Sequence, residues 1–297
     1  MDRGDASQLM RLPNTLIGGG TVFVGGLLGG AEATTEWVTV SLHSLSVIAF
    51  MGCWNIFNDI MDIDVDRNNC PDRPLPAGRV SIDEARSFAT ALLTLSVIGL
   101  LGAAGWVSYN GMDLAAWLPS LPIWFAALLL MVHYEFEGGN SLRLKHKGLP
   151  GNIAVSLLVG IVIIFGAASV GGLSNPLVWM VGLTAFCINS AREIIKDVED
   201  MEGDIGRETL SMQIGPNKAR TIAWLMTLIG FASLFLPFGI DVLPSGMLLL
   251  LTPAILAIIA AKPRIHQGDD YGAQRMLRLA ILLGMIGFAV AAILANT

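Results

Sequence analysis

Residues 152–173 read NIAVSLLVGIVIIFGAASVGGL, a stretch without a single charged side chain. A helix crosses the hydrocarbon core of a bilayer in about 20 mostly apolar residues, and this run is long enough. Its apolar residues are continuous, whereas a strand of a membrane barrel would alternate apolar and polar positions over a shorter segment. The stretch therefore predicts a membrane-spanning helix. Comparable runs occur at 15–31, 38–58, 88–107, 114–132, 177–191, 221–239, 244–261 and 277–295. The expectation is an all-α, polytopic bundle of about nine transmembrane helices, forming one domain over 1–297.

Composition agrees with this reading. Of 297 residues, 54% are hydrophobic and 14% charged, and the mean hydropathy is +0.64; a soluble domain of this length carries more charge. The first apolar run follows a short charged N-terminus and has no obvious cleavage site, so it reads as a retained span. Cys53, Cys70 and Cys187 lie far apart with no metal-ligand spacing, which predicts neither zinc nor a disulfide framework. Glycine pairs and triplets such as Gly18-Gly19-Gly20 and Gly25-Gly26 are the small residues that let membrane helices approach closely.

The charges are segregated. All 18 Lys and Arg residues fall in the N-terminal segment, in the second, fourth, sixth or eighth connection between spans, or, for Arg278, at the edge of the last span beside the eighth connection. The positive-inside rule then places the N-terminus and those connections in the cytoplasm. Of the 24 acids, Glu32, Glu36, Asp113 and Asp241 lie in the opposite connections, so the cytoplasmic face carries both signs in quantity. Polar chemistry is expected there, at a cell membrane.

Two of the cytoplasmic connections share a plan: an apolar helix runs into an acidic cluster and then an Arg-containing loop. The first cluster is NDIMDIDVDR, Asn58 to Arg67, and the second is REIIKDVEDMEGD, Arg192 to Asp204. If the helices continue through them, Asn58, Asp62 and Asp66 step by four residues, and Asp197, Asp200 and Asp204 step by three and four. Each set then shares one helix face. Like charges so stacked repel, and acids near a helix C-terminus oppose the macrodipole, so a positive partner is expected. Hard carboxylate and amide oxygens suit Mg2+, which takes one or two carboxylates and fills its shell with water and phosphate oxygens. Asn58, Asp59, Asp62, Asp66, Asp197, Asp200 and Asp204 are the candidate metal ligands. Arg11, Arg67, Arg73, Lys145, Arg192 and Lys196 surround them as candidate anion-binding cations. Pro71, Pro74 and Pro76 stiffen the loop that carries Arg73.

With these motifs in place, the chain resembles the UbiA superfamily of intramembrane prenyltransferases. The resemblance rests on NDIMDIDVD with the following RPLPAGR, on AREIIKDVEDMEGD, on Glu208-Thr209-Leu210, and on Lys145 before GLPGN, and it spans nearly the whole chain. Within the superfamily the wording AREIIKDVEDMEGD and GNIAVSLLVG is most similar to the archaeal digeranylgeranylglyceryl phosphate synthases. The resemblance implies that two Mg2+ ions sit between the motifs and that Asp62, Asp66, Asp200, Asp204 and Lys145 carry catalysis. It also implies that Arg67 and Lys145 grip a prenyl diphosphate, and that the prenyl tail lies in an apolar groove open to lipid. The implied reaction moves a geranylgeranyl group from its diphosphate to geranylgeranylglyceryl phosphate, a lipid-like acceptor. No nucleic acid and no obligate protein partner is implied. Many members carry a Tyr four residues before the Lys of the fourth connection, where this chain has Ser141, with Tyr134 upstream.

Three other functions are compatible with acids at helix ends. Prenylation of an aromatic quinone precursor such as 4-hydroxybenzoate would use the same donor site. A CDP-alcohol phosphotransferase would need a Gly-x-x-Ala-Arg continuation after its first aspartates, where this chain has Ile63-Asp64-Val65-Asp66-Arg67. A cation transporter would carry acids inside its spans; here they gather at the ends, beside fixed arginines.

Overall fold

The computed structural model describes residues 1–136, 138–201 and 208–295. Among them every regular element is helical. In order these are α1 (Arg3–Met10), α2 (Leu12–Leu28), α3 (Thr34–Met61), α4 (Ile63–Asn69), α5 (Ile82–Tyr109), α6 (Leu114–Trp117), α7 (Ser120–Glu135), α8 (Leu149–Ala168), α9 (Pro176–Glu199), α10 (Leu210–Ile214), α11 (Pro216–Ser233), α12 (Leu236–Gly239), α13 (Thr252–Gln267) and α14 (Asp270–Ala295). Eight segments are long and apolar enough to cross a membrane, and α2, with 17 residues, is a shorter apolar helix beside them. These nine match the nine runs expected from hydropathy.

Local chemistry sets the helix ends. Ser81 and Glu84 form a capping box at the start of α5, with Ser81 N donating to Glu84 Oε2 at 3.0 Å, which satisfies backbone donors that a helix N-terminus leaves free. Asn175 caps α9 through Leu177 N at 3.0 Å, and Pro176 follows at the first helical position. Gly268 ends α13 in the left-handed region, at φ 78°. The tight turn that results brings Asp270, at the start of α14, onto Arg220 of α11 at 2.8 and 2.5 Å.

The spans pack in sequence-adjacent pairs: α3 with α5, α9 with α11, α13 with α14, and α8 with α9. One apolar core joins α8 to α14 with the end of α2, and two smaller ones lie among α1 to α8. The halves meet where α2 crosses α8 at Gly25 and Gly166. A Cβ on either glycine would overlap a backbone carbonyl of the other helix, that of Ile163 or Val22. This close crossing is what small residues permit between membrane helices. It also brings the start of α2 and the start of α8 to one end of the bundle, where α3, α7 and α9 finish.

Candidate active site

At that end, α3 and α4 carry the first acidic cluster. The helix assignment breaks at Asp62, yet Asp62 N bonds to Asn58 O at 2.9 Å and Asp66 N to Asp62 O at 2.8 Å. The four-residue ladder therefore runs through the break, as the stacked-face reading required. Asp59 and Asp66 are buried, and Asn58 and Asp62 are half-buried.

Cations from three connections hold these acids. Arg11, in a left-handed conformation between α1 and α2, donates through Nη2 to Asp59 Oδ1 at 2.7 Å and to Asn58 Oδ1 at 3.2 Å. Arg73, in the proline-stiffened loop, meets Asp66 Oδ2 at 2.6 Å and Asp59 Oδ1 at 3.5 Å. Burial opposes the charge on Arg73, but the carboxylates of Asp59 and Asp66 outweigh it and hold the guanidinium charged above its ordinary range. Lys145, whose side chain is 5% exposed, places Nζ at 2.8 Å from both oxygens of Asp62 and at 2.7 Å from Glu135 Oε1.

The second cluster and Lys145 line one pocket. A small polar pocket is lined by Lys145, Tyr134, Asn152, Glu193, Asp197 and Thr209, together with Gly148, Gly151 and Val155. Asn152 Nδ2 donates to Asp197 Oδ2 at 2.9 Å, and Ser211 Oγ donates to the carbonyl of Asp197 at 2.8 Å, which ties α10 to the end of α9. Gly148 adopts φ 58° with the backbone of Leu210 against it, so the fourth and sixth connections pack together. Asp200 caps the end of α9 and is exposed, near Lys196 Nζ at 3.9 Å. Asp204 lies outside the described residues.

Behind this polar end lies an apolar cavity of about 390 Å³, walled by α2, α3, α7, α8, α9 and α14. Its depth is built from side chains such as Val47, Phe50, Met51, Trp54, Trp124 and Phe165, and its mouth from Asn14, Asn55, Asn189, Arg192 and Arg278. An amphiphile with an anionic head and an apolar tail fits this division.

The profile of the UbiA prenyltransferase family matches residues 20–282. The chain belongs to that family. A digeranylgeranylglyceryl phosphate synthase from Methanopyrus kandleri is 34% identical over 287 residues, covering 95% of this chain and 96% of that protein. A solved structure described as giving insights into digeranylgeranylglyceryl phosphate synthase in membranes aligns with a TM-score of 0.73 at 25% identity, covering 98% of both chains. A UbiA homologue from Archaeoglobus fulgidus bound to DMAPP and Mg2+ shares the fold, with a TM-score of 0.65 at 19% identity over 96% of this chain and 99% of that one.

Within this UbiA fold, the expected site residues separate into two groups. Arg11, Asn58, Asp59, Asp62, Asp66, Arg73 and Lys145 converge, and Asp197 and Arg192 line the adjoining pockets. Arg67 points elsewhere and pairs with exposed Asp64 at 2.7 Å, while Lys196 is half-exposed. Glu135, Asn152 and Arg278 were not legible as site residues. Glu135, buried at the end of α7, accepts from both Lys145 and Asn58; its one signal was an acid closing an apolar run.

A divalent ion is compatible with this donor set. No group of three or more His, Cys, Asp or Glu side chains is close enough to hold a metal unaided among the described residues. Mg2+ needs fewer, because phosphate oxygens and water complete its shell. Asn152 Oδ1 is buried in the polar pocket beside Asp197, without a hydrogen-bond partner among the described residues. An oxygen so placed accepts a hydrated ion or a donor carried by a ligand.

Proposed function

We propose that this protein is a Mg2+-dependent intramembrane geranylgeranyltransferase that acts on geranylgeranylglyceryl phosphate and forms the second ether bond of archaeal membrane lipids. The observation that carries the proposal is the cluster of buried carboxylates and fixed cations at the end of the bundle where an apolar cavity with a polar mouth lies behind it. Identity to digeranylgeranylglyceryl phosphate synthases along nearly the whole chain supports the choice of acceptor.

In this reading Lys145 and Arg73 face the donor's diphosphate, with the prenyl chain in the cavity. Two Mg2+ ions are assigned to Asn58, Asp59, Asp62 and Asp66 on one side and to Asp197, Asp200 and Asp204 on the other. When bound, the metal supplies Lewis-acid neutralisation of the departing diphosphate. The bond from the prenyl C1 to the diphosphate oxygen breaks, and the diphosphate leaves with the electron pair. The acceptor hydroxyl oxygen bonds to C1 and passes its proton to the departing diphosphate. The Phe50, Trp54 and Trp124 walls keep water from the reacting carbon.

The test is product formation by the purified protein with geranylgeranyl diphosphate, offered geranylgeranylglyceryl phosphate and 4-hydroxybenzoate in parallel, with and without EDTA. A diether made only without EDTA is the expected outcome. A prenylated aromatic would replace the acceptor, and a diether made equally well in EDTA would remove the metal.

A further inference from the structure

Two arginines make no contact with the carboxylates of the first acidic cluster or with Glu135. Arg192 on α9 and Arg278 on α14 both line the mouth of the apolar cavity, and no Asp or Glu lines it. Arg192 Nη1 pairs with Glu193, but its Nε is buried with no hydrogen-bond partner among the described residues. Arg278 is exposed to the cavity and donates to the neutral Asn14 Oδ1 at 3.1 Å. The helices that carry them pack against each other. By contrast, Arg11, Arg73 and Lys145 sit on the carboxylates of the first acidic cluster, Asp59, Asp66 and Asp62.

Charge therefore divides the polar end into two kinds of anion site. One mixes acids with cations, and an anion bound there needs a metal to offset the carboxylates. The other has cations and amides without an acid on its lining, so it can hold a phosphate directly through forked guanidinium donors. The apolar cavity opens at that second site, so a ligand held there has its hydrocarbon tail directed into the cavity that also receives the donor's prenyl chain.

We propose that Arg192 and Arg278, with Asn14, Asn55 and Asn189 around them, bind the phosphate of the lipid acceptor without metal. The inference rests on the proposed function for the chemistry of the acceptor, but its test does not require turnover. Trp54 and Trp124 line the same cavity, so acceptor binding is readable as a change in tryptophan fluorescence of the detergent-solubilised protein in EDTA. The probes are geranylgeranylglyceryl phosphate and geranylgeranylglycerol, which differ by the phosphate alone.

The unmodified protein should bind the phosphorylated probe on the order of tenfold or more tightly than the alcohol, as expected for a charge-assisted contact. Arg278→Gln should abolish that preference, and Arg278→Lys should restore part of it. Arg192→Lys keeps the charge but loses the fork, and should weaken the phosphorylated probe alone. Arg275→Gln, one turn away and stacked on Tyr271, should change nothing. Equal affinity for the two probes in the unmodified protein would overturn the proposal, as would a preference that survives both Arg278→Gln and Arg192→Lys. In turnover, Arg278→Gln should raise KM for the acceptor and leave KM for geranylgeranyl diphosphate within about threefold; the reverse split would move these arginines to the donor. Absence of any product from the unmodified protein would count against the proposed function while leaving the binding result to decide this one.

Discussion

Lys145 is the residue that ties the first acidic cluster to the end of α7. Its ammonium lies between Asp62 and Glu135, and the Glu135 side chain is 1% exposed. Removing one partner of a buried pair costs about 3–5 kcal/mol, because the other charge is left uncompensated. Lys145→Met should accordingly lower thermal stability in detergent and remove turnover together. Glu135→Gln keeps an acceptor for Asn58 and leaves Lys145 on Asp62, so its stability loss should be smaller. The double variant is informative: with the cation gone, a neutral residue at 135 relieves carboxylate repulsion, so part of the stability returns while turnover does not. Strictly additive stability losses would show that the two side chains are not coupled. The same region separates what sequence could and could not tell. The carboxylate ladder at 58, 62 and 66 was legible because four-residue spacing is a helical property. Arg67, one position after Asp66, is turned from it by the roughly 100° between adjacent helical residues and pairs with Asp64. Arg73 reaches Asp66 only because the intervening loop doubles back, a tertiary fact.

At the scale of helices, hydropathy located the spans because each is a long apolar run, but it could not say which touch. That is decided by glycines. Gly25 and Gly166 sit where α2 and α8 cross with backbone against backbone, while Gly105 in α5 has nothing within 4 Å of an added Cβ. Gly25→Leu or Gly166→Leu must push the helices apart, with an overpacking cost of about 1–3 kcal/mol or more. Gly105→Ala should instead be neutral or stabilise by about 0.4–1 kcal/mol, since it restricts the unfolded chain and fits an unstrained helical position. Thermal unfolding of the three variants checks this. Because α2 brings Asn14 and α8 brings Asn152 to the polar end, the crossing variants should lose activity in proportion to their displacement. Loss of stability in Gly105→Ala with none in Gly166→Leu would mean that the crossing is not the joint that positions the site. The glycine run at 18–20 and 25–26 signalled close packing from sequence; its partner on α8 was hidden, because any of the other glycine-bearing spans could have supplied it.

Across the whole molecule, the site and the basic residues lie at one end of the bundle, and the connection at Asn110 lies at the other. The positive-inside rule makes that asymmetry a prediction about orientation, with the polar end and the donor and acceptor sites proposed for it turned toward the cytoplasm. Asn110 and Lys147 are both exposed, and they mark opposite ends. Cys53 and Cys187 are buried and Cys70 is half-buried, so a Cys70→Ser background leaves little competing thiol. In that background, Asn110→Cys should be labelled by a membrane-impermeant maleimide added to intact cells, and Lys147→Cys only after the membrane is opened. The reverse pattern would place the carboxylates and arginines outside, away from cytoplasmic pools of prenyl diphosphate and Mg2+, and would break the link between charge segregation and catalysis on which the proposed function depends. Labelling of both from outside would signal a mixed population, which a bundle with cations at both ends can adopt but one with all 18 Lys and Arg residues assigned to a single side should not.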